Sequence, residues 1–152
     1  MIPFIDLAKQ QARIRNKIEA GFGTVLDHGA YVMGQEVGTI ETRLAEAAGA
    51  RHCRSCSSGT DALILALLAK GLRPGQGVIV PSFTFAASAE VMPVLGAIPV
   101  FAEVDPATFN LDPAGLPAAM AAARDAGIQV VGIIGVGLFG QPADYPAIGA
   151  FA

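Results

Sequence analysis

Three short, almost uninterrupted apolar segments constrain the fold of this chain more than any other feature. They cover residues 78–80, 98–104 and 128–136, and they lack the alternating polar residues of a half-exposed strand. Helical patterns at residues 86–94 and 112–127 separate them. Strands buried on both faces, alternating with helices, are typical of parallel sheets. The sequence therefore predicts an α/β domain with a mostly parallel sheet covered by helices on both faces.

Two further helices are expected before the sheet, over residues 7–27 and 35–48. Apolar residues recur at helical spacing in both segments, and a glycine follows each. His28 ends the first helix, where its ring suits the negative end of the helix dipole better than it suits a catalytic base. Tyr31, in the connection, either packs under a helix or faces a ligand.

A loop of small residues, Ser57-Ser58-Gly59-Thr60, runs into an apolar helical segment. Ser58 and Asp61 have the spacing of a capping box, in which each satisfies part of the helix start. Gly59 lets the backbone approach a ligand closely, and the positive end of a helix attracts anions. Two interpretations stay open here, a phosphate cradle and an ordinary well-capped helix.

The loops at residues 57–60, 82–85 and 137–141 each follow a predicted strand. Because ligands of parallel sheets gather at the carboxyl ends of the strands, we expect these loops on one edge. Phe83 or Phe85 could stack there on a flat ring whose phosphate lies in the loop at Ser58. At least one of these two phenylalanines is expected in the core.

Several classes of function are disfavoured. A net charge of −3 without a basic cluster argues against nucleic acid or an anionic membrane as the main ligand. No apolar run has membrane-spanning length, and the start does not resemble a signal peptide, so a cytoplasmic location is expected. Cys53 and Cys56 form a C-x-x-C motif, but too few other ligands exist for a metal site, and a redox role is weak. The ordinary interpretation places both cysteines on a short strand.

At six segments the chain resembles the DegT/StrS family of pyridoxal-phosphate-dependent nucleotide-sugar aminotransferases. The matching segments occur in the family's order and cover residues 2–7, 29–34, 58–63, 81–85, 96–101 and 138–144. The resemblance implies the aspartate-aminotransferase type of fold (fold type I). Residues 1–152 would then be the N-terminal part of the PLP-binding large domain of a homodimeric enzyme.

The resemblance also implies roles for individual residues. Ser58, Gly59 and Thr60 match the residues that hold the phosphate of pyridoxal 5'-phosphate, and Phe85 matches the aromatic residue that covers its ring. Tyr31 falls in the segment near the substrate. The implied reaction moves an amino group from an amino acid, usually glutamate, to a keto nucleotide-sugar. This reaction makes amino sugars for surface polysaccharide.

One departure from the family affects the expected activity. The Schiff-base lysine and the aspartate that pairs with the pyridine nitrogen would lie beyond Ala152, and Lys9, Lys17 and Lys70 do not replace that lysine. Gly137 also stands where relatives often carry a polar residue. We therefore expect this chain alone to be inactive. It is either the N-terminal part of an aminotransferase or a short non-catalytic relative that binds a phosphorylated ligand or a partner subunit.

Overall fold

The computed structural model describes residues 4–152, which form two compact units. The first unit ends at Ser55, and the second comprises Cys56–Ala152. Ile2 and Pro3, which carry part of the family resemblance, lie outside the described residues. That both units belong to one PLP-binding large domain stays a prediction.

The first unit contains two helices, α1 (Leu7–His28) and α2 (Gln35–Ala48). The side chain of Asp6 accepts a hydrogen bond from the Lys9 N–H at 2.9 Å and caps the start of α1. Both predicted helices are confirmed to within one residue. The apolar stripe that predicted α1 is largely exposed, and none of the residues of this helix is buried.

The second unit is a small α/β layer structure. Its three strands are β1 (Gly77–Pro81), β2 (Ile98–Ala102) and β3 (Val130–Ile133), all parallel in the order β2-β1-β3. Its helices are α3 (Gly59–Ala69), α4 (Ala87–Val94), α5 (Leu116–Asp125) and α6 (Tyr145–Phe151). Single 3₁₀ turns lie at Pro113–Gly115 and Leu138–Gly140. The strands β2 and β3 are shorter than predicted because β1, to which both pair, has only five residues.

Side chains of β1 alternate between two apolar layers, as the pleat of a strand requires. Val78 and Val80 pack with Val91 and Met92 of α4 and with apolar residues of α3. Ile79 points to the opposite face, into a cluster with residues of β2, α5 and α6. The predicted parallel sheet covered on both faces is therefore confirmed.

The strand predicted before residue 57 is absent, because residues 50–58 are irregular. The buried carboxylate of Glu41 accepts from the Ser55 N–H at 2.8 Å, from the Ser55 hydroxyl at 2.9 Å and from Arg54 at 3.0 Å. Because the Glu41 side chain, and not a neighbouring strand, accepts the hydrogen bond of the Ser55 N–H, this segment does not join a β-sheet. These contacts lower the pKa of Glu41, and the hydrogen bond from the Ser55 N–H has the largest effect.

Cys53 and Cys56 therefore do not lie on a strand, and both are free thiols. Across residues 4–152, no group of three or more His, Cys, Asp or Glu side chains is arranged to hold a metal ion. None of the helices in the same part of the chain is long and apolar enough to cross a membrane.

Candidate functional site

The start of α3 has the geometry that the capping-box pattern predicts. Ser58 is the N-cap residue, with an extended backbone (φ −157°, ψ 166°), and its Oγ accepts from the Asp61 N–H at 3.1 Å. The Asp61 carboxylate reaches back to the loop and accepts from the hydroxyl groups of Ser57 and Ser58, the latter at 3.0 Å. These two hydrogen bonds lower the pKa of Asp61, and the one from Ser57 has the larger effect.

The backbone N–H groups of Gly59 and Thr60 have no hydrogen-bond partner within residues 4–152. They are the orphan donors that every helix start leaves, and the positive end of the helix dipole adds to them. A Cβ atom built on Gly59 would meet no heavy atom within 4 Å, so the side of Gly59 on which a side chain would stand is open. The site can therefore accept an anion through backbone N–H groups, whereas both serine hydroxyls are occupied by Asp61.

From the packing and the connection of α3, we infer that its start lies toward the carboxyl edge of the sheet, although no strand precedes it. The helix packs through Leu63, Ile64 and Leu67 on the face of the sheet that carries Val78 and Val80. Seven residues, 70–76, connect its end to the start of β1, so we expect α3 to run antiparallel to that strand. Residues 82–85 and 137–141, which follow β1 and β3, lie at the same edge.

Phe83 and Phe85 are both exposed, at 51% and 76%, so the expectation that one of them is core is wrong. They lie in the loop beyond the end of β1, outside the two apolar layers. The Phe83 ring instead contacts the Phe109 ring, with 5.7 Å between the ring centroids. The Phe109 and Phe139 ring centroids are 6.0 Å apart. The Phe85 ring is exposed enough to cover a planar ligand.

Asn110 organises this edge of the sheet, and the sequence did not indicate it. Its side chain, 4% exposed, donates to the Gln141 and Pro142 carbonyls at 3.0 and 3.1 Å and accepts from the Leu138 N–H at 3.0 Å. A single amide thus satisfies three backbone groups of the turn after β3. Sequence spacing could not identify this role, because the partners of Asn110 are about thirty residues away.

Tyr31 lies in the first unit, between α1 and α2, and is 67% exposed. The interpretation that Tyr31 packs under a helix is therefore wrong. Lys70, the one lysine of the second unit, is the C-cap residue of α3. At a rise of about 1.5 Å per residue, the helix places Lys70 about 18 Å from Ser58, beyond the reach of a lysine side chain.

Comparisons with known proteins agree with this geometry. A model of the DegT/DnrJ/EryC1/StrS aminotransferase family matches residues 12–152. The UDP-2-acetamido-2-deoxy-3-oxo-D-glucuronate aminotransferase of Pseudomonas aeruginosa is 51% identical over 152 residues, covering 100% of this chain and 41% of that protein. The chain thus spans about 40% of the length of this curated relative.

Two solved structures are similar to the described fold. A DegT DnrJ EryC1 StrS aminotransferase from Brucella abortus is 45% identical with a TM-score of 0.93, covering 100% of this chain and 41% of that one. NtdA from Bacillus subtilis, solved with the cofactor PMP bound, is 28% identical with a TM-score of 0.88, covering 99% of this chain and 34% of that one. These similarities confirm the predicted fold type I class.

Proposed function

Because this chain belongs to the DegT/DnrJ/EryC1/StrS aminotransferase family, we propose that it is the cofactor-phosphate-binding part of a nucleotide-sugar aminotransferase. Residues 1–152 form the N-terminal part of the PLP-binding large domain. The observation that carries the proposal is the pair of N–H groups at Gly59 and Thr60, which have no partner among residues 4–152 and lie beside open space at the start of α3. A phosphate is the kind of ligand that such donors bind.

Three residues form the phosphate site for pyridoxal 5'-phosphate in this proposal, two as donors and one by positioning the helix start. Gly59 and Thr60 donate backbone N–H groups, and Ser58 fixes the helix start through its bond to the Asp61 N–H. Phe85 covers one face of the pyridine ring from the loop after β1. When bound, the cofactor carries the amino group between donor and acceptor and withdraws electrons from the reacting carbon.

The relatives support the class of substrate that we propose. The protein from Pseudomonas aeruginosa is an aminotransferase of UDP-2-acetamido-2-deoxy-3-oxo-D-glucuronate, and we assign this chain the same class of substrate, a keto nucleotide-sugar. Glutamate donates the amino group, and Tyr31 lies near the sugar. The enzyme works as a cytoplasmic homodimer that makes amino sugars for surface polysaccharide.

The lysine that bonds to the cofactor is not Lys9, Lys17 or Lys70. Lys70 lies at the far end of α3 from Ser58, and Lys9 and Lys17 lie on α1, where both are exposed. A lysine that bonds to a cofactor aldehyde lies in a pocket that shields it from water, whereas these lysine side chains are exposed.

The test uses the product of the complete reading frame that encodes this chain. It is incubated with UDP-2-acetamido-2-deoxy-3-oxo-D-glucuronate, glutamate and pyridoxal phosphate. We expect the amino sugar by mass spectrometry, together with an equal amount of 2-oxoglutarate. The triple variant Lys9→Arg, Lys17→Arg, Lys70→Arg should keep this activity. Cofactor binding without glutamate-dependent amination would instead support the non-catalytic interpretation.

A further inference from the structure

The connection between α1 and α2, which we name the Tyr31 loop (residues 29–34), has a tightly fixed backbone. A Cβ atom at Gly34 would lie 2.5 Å from the Ala30 carbonyl oxygen, so the two ends of the loop touch. Met33 adopts a left-handed conformation at φ 54°, which non-glycine residues rarely take. The side chains between these ends, Tyr31, Val32 and Met33, are largely exposed. The loop thus presents its side chains outward from a compact base.

The ring of His28 binds both ends of this base. Its Nδ1 accepts from the Ala30 N–H at 3.0 Å, and its Nε2 lies 3.1 Å from the Glu36 carboxylate. A ring nitrogen that accepts a hydrogen bond carries no proton, so these partners define the neutral tautomer with hydrogen on Nε2. The Nε2–H then donates to Glu36. The backbone N–H of Glu36 and the bond from His28 both lower the pKa of this carboxyl group.

We propose that His28 is the positioning residue of the Tyr31 loop, joining the end of α1, the first residues of the loop and the start of α2 through its two ring nitrogens. Gly29 is the C-cap residue of α1, so the cap predicted for His28 does not describe the contacts that its ring makes. The inference deepens the proposed function, in which Tyr31 lies near the sugar. A fixed loop reduces the conformational entropy that ordering Tyr31 on the substrate would otherwise lose.

Two variants test the two hydrogen bonds of the His28 ring one at a time. The amide oxygen of His28→Asn can take the place of Nδ1 and accept from Ala30, but its side chain is too short to reach Glu36. The amide nitrogen of His28→Gln can take the place of Nε2 and donate to Glu36, but it provides no acceptor for Ala30. We therefore expect the Ala30 amide hydrogen to exchange about five- to tenfold faster in His28→Gln and close to the wild-type rate in His28→Asn.

Residue-resolved hydrogen exchange of the chain without ligand makes this comparison. The Ala50 amide, bonded to the Ala45 carbonyl at 2.9 Å, is the internal control for folding of α2 and should not change. Equal exchange of the Ala30 amide in both variants would overturn the proposal. Because no substrate is present, this result does not depend on whether the protein is an aminotransferase.

The consequence for substrate is measured on the product of the complete reading frame. We expect His28→Gln to raise the KM for the keto nucleotide-sugar about tenfold with a much smaller change in kcat, and His28→Asn to restore most of the loss. A KM that is unchanged in His28→Gln, despite faster exchange at Ala30, would overturn the link between the loop and the substrate. Absence of activity in the wild type would contradict the proposed function but not the exchange result.

Discussion

Replacing Asn110 with leucine is expected to lower the free energy of unfolding by roughly 3 kcal/mol or more. Leucine has a similar volume but no polar atoms, so the Leu138 N–H and the carbonyls of Gln141 and Pro142 lose their partner. Each unsatisfied buried backbone group costs about 1–3 kcal/mol. Urea unfolding of the variant and wild type, followed by circular dichroism, measures the difference.

Two further variants sharpen this test. Asn110→Asp keeps an acceptor for the Leu138 N–H but points its other carboxylate oxygen at both carbonyl oxygens, so we expect a similar loss of stability. Gln141→Ala is the matched control, because Asn110 contacts the Gln141 backbone and the side chain is exposed. This control should change stability by less than about 0.5 kcal/mol. If Asn110→Leu were as stable as Gln141→Ala, Asn110 would not hold the turn.

Replacing Thr60 with glutamate is expected to weaken the binding of pyridoxamine phosphate by about one to two orders of magnitude. The added carboxylate lies in the first turn of α3, beside the N–H groups of Gly59 and Thr60. There it repels the phosphate, whereas a negative charge at a helix start stabilises the helix itself. Weaker binding can then not be attributed to unfolding. Fluorescence titration of the apo form of the complete reading-frame product gives the affinity.

Thr60→Gln is the matched control for charge, because it has the same shape as the glutamate and also lacks the threonine hydroxyl. We expect its affinity for pyridoxamine phosphate to be much closer to that of the wild type. Pyridoxamine, which has no phosphate, should bind both variants equally. If glutamate and glutamine weakened binding to the same degree, shape and not charge would explain the loss, and the phosphate would lie elsewhere.

The sequence was most informative where the signals are local. The capping box at Ser58 and Asp61 depends on residues three apart, and the structure contains the predicted bond. The apolar strand segments also identified the parallel sheet correctly, since a strand buried on both faces needs no distant partner to be recognised. These two local signals located the start of α3 and the class of fold.

Contacts between distant residues could not be predicted in this way. Asn110 acts on a turn about thirty residues away, and Glu41 satisfies the backbone at Ser55, where a strand was expected. Phe83 contacts Phe109 beyond the end of the sheet, although both of its interpretations from sequence concerned a ring ligand or the core. In each case the partner is set by tertiary structure, which periodicity and spacing do not encode.

The central claim is that the start of α3 binds the phosphate of the cofactor, and hydrogen exchange at the Gly59 and Thr60 amides tests it most directly. Both N–H groups lack a partner within residues 4–152, so they should exchange rapidly in the apo protein. We predict that pyridoxamine phosphate slows their exchange and that pyridoxamine does not. Exchange that is unaffected by either compound, or slowed equally by both, would contradict the claim.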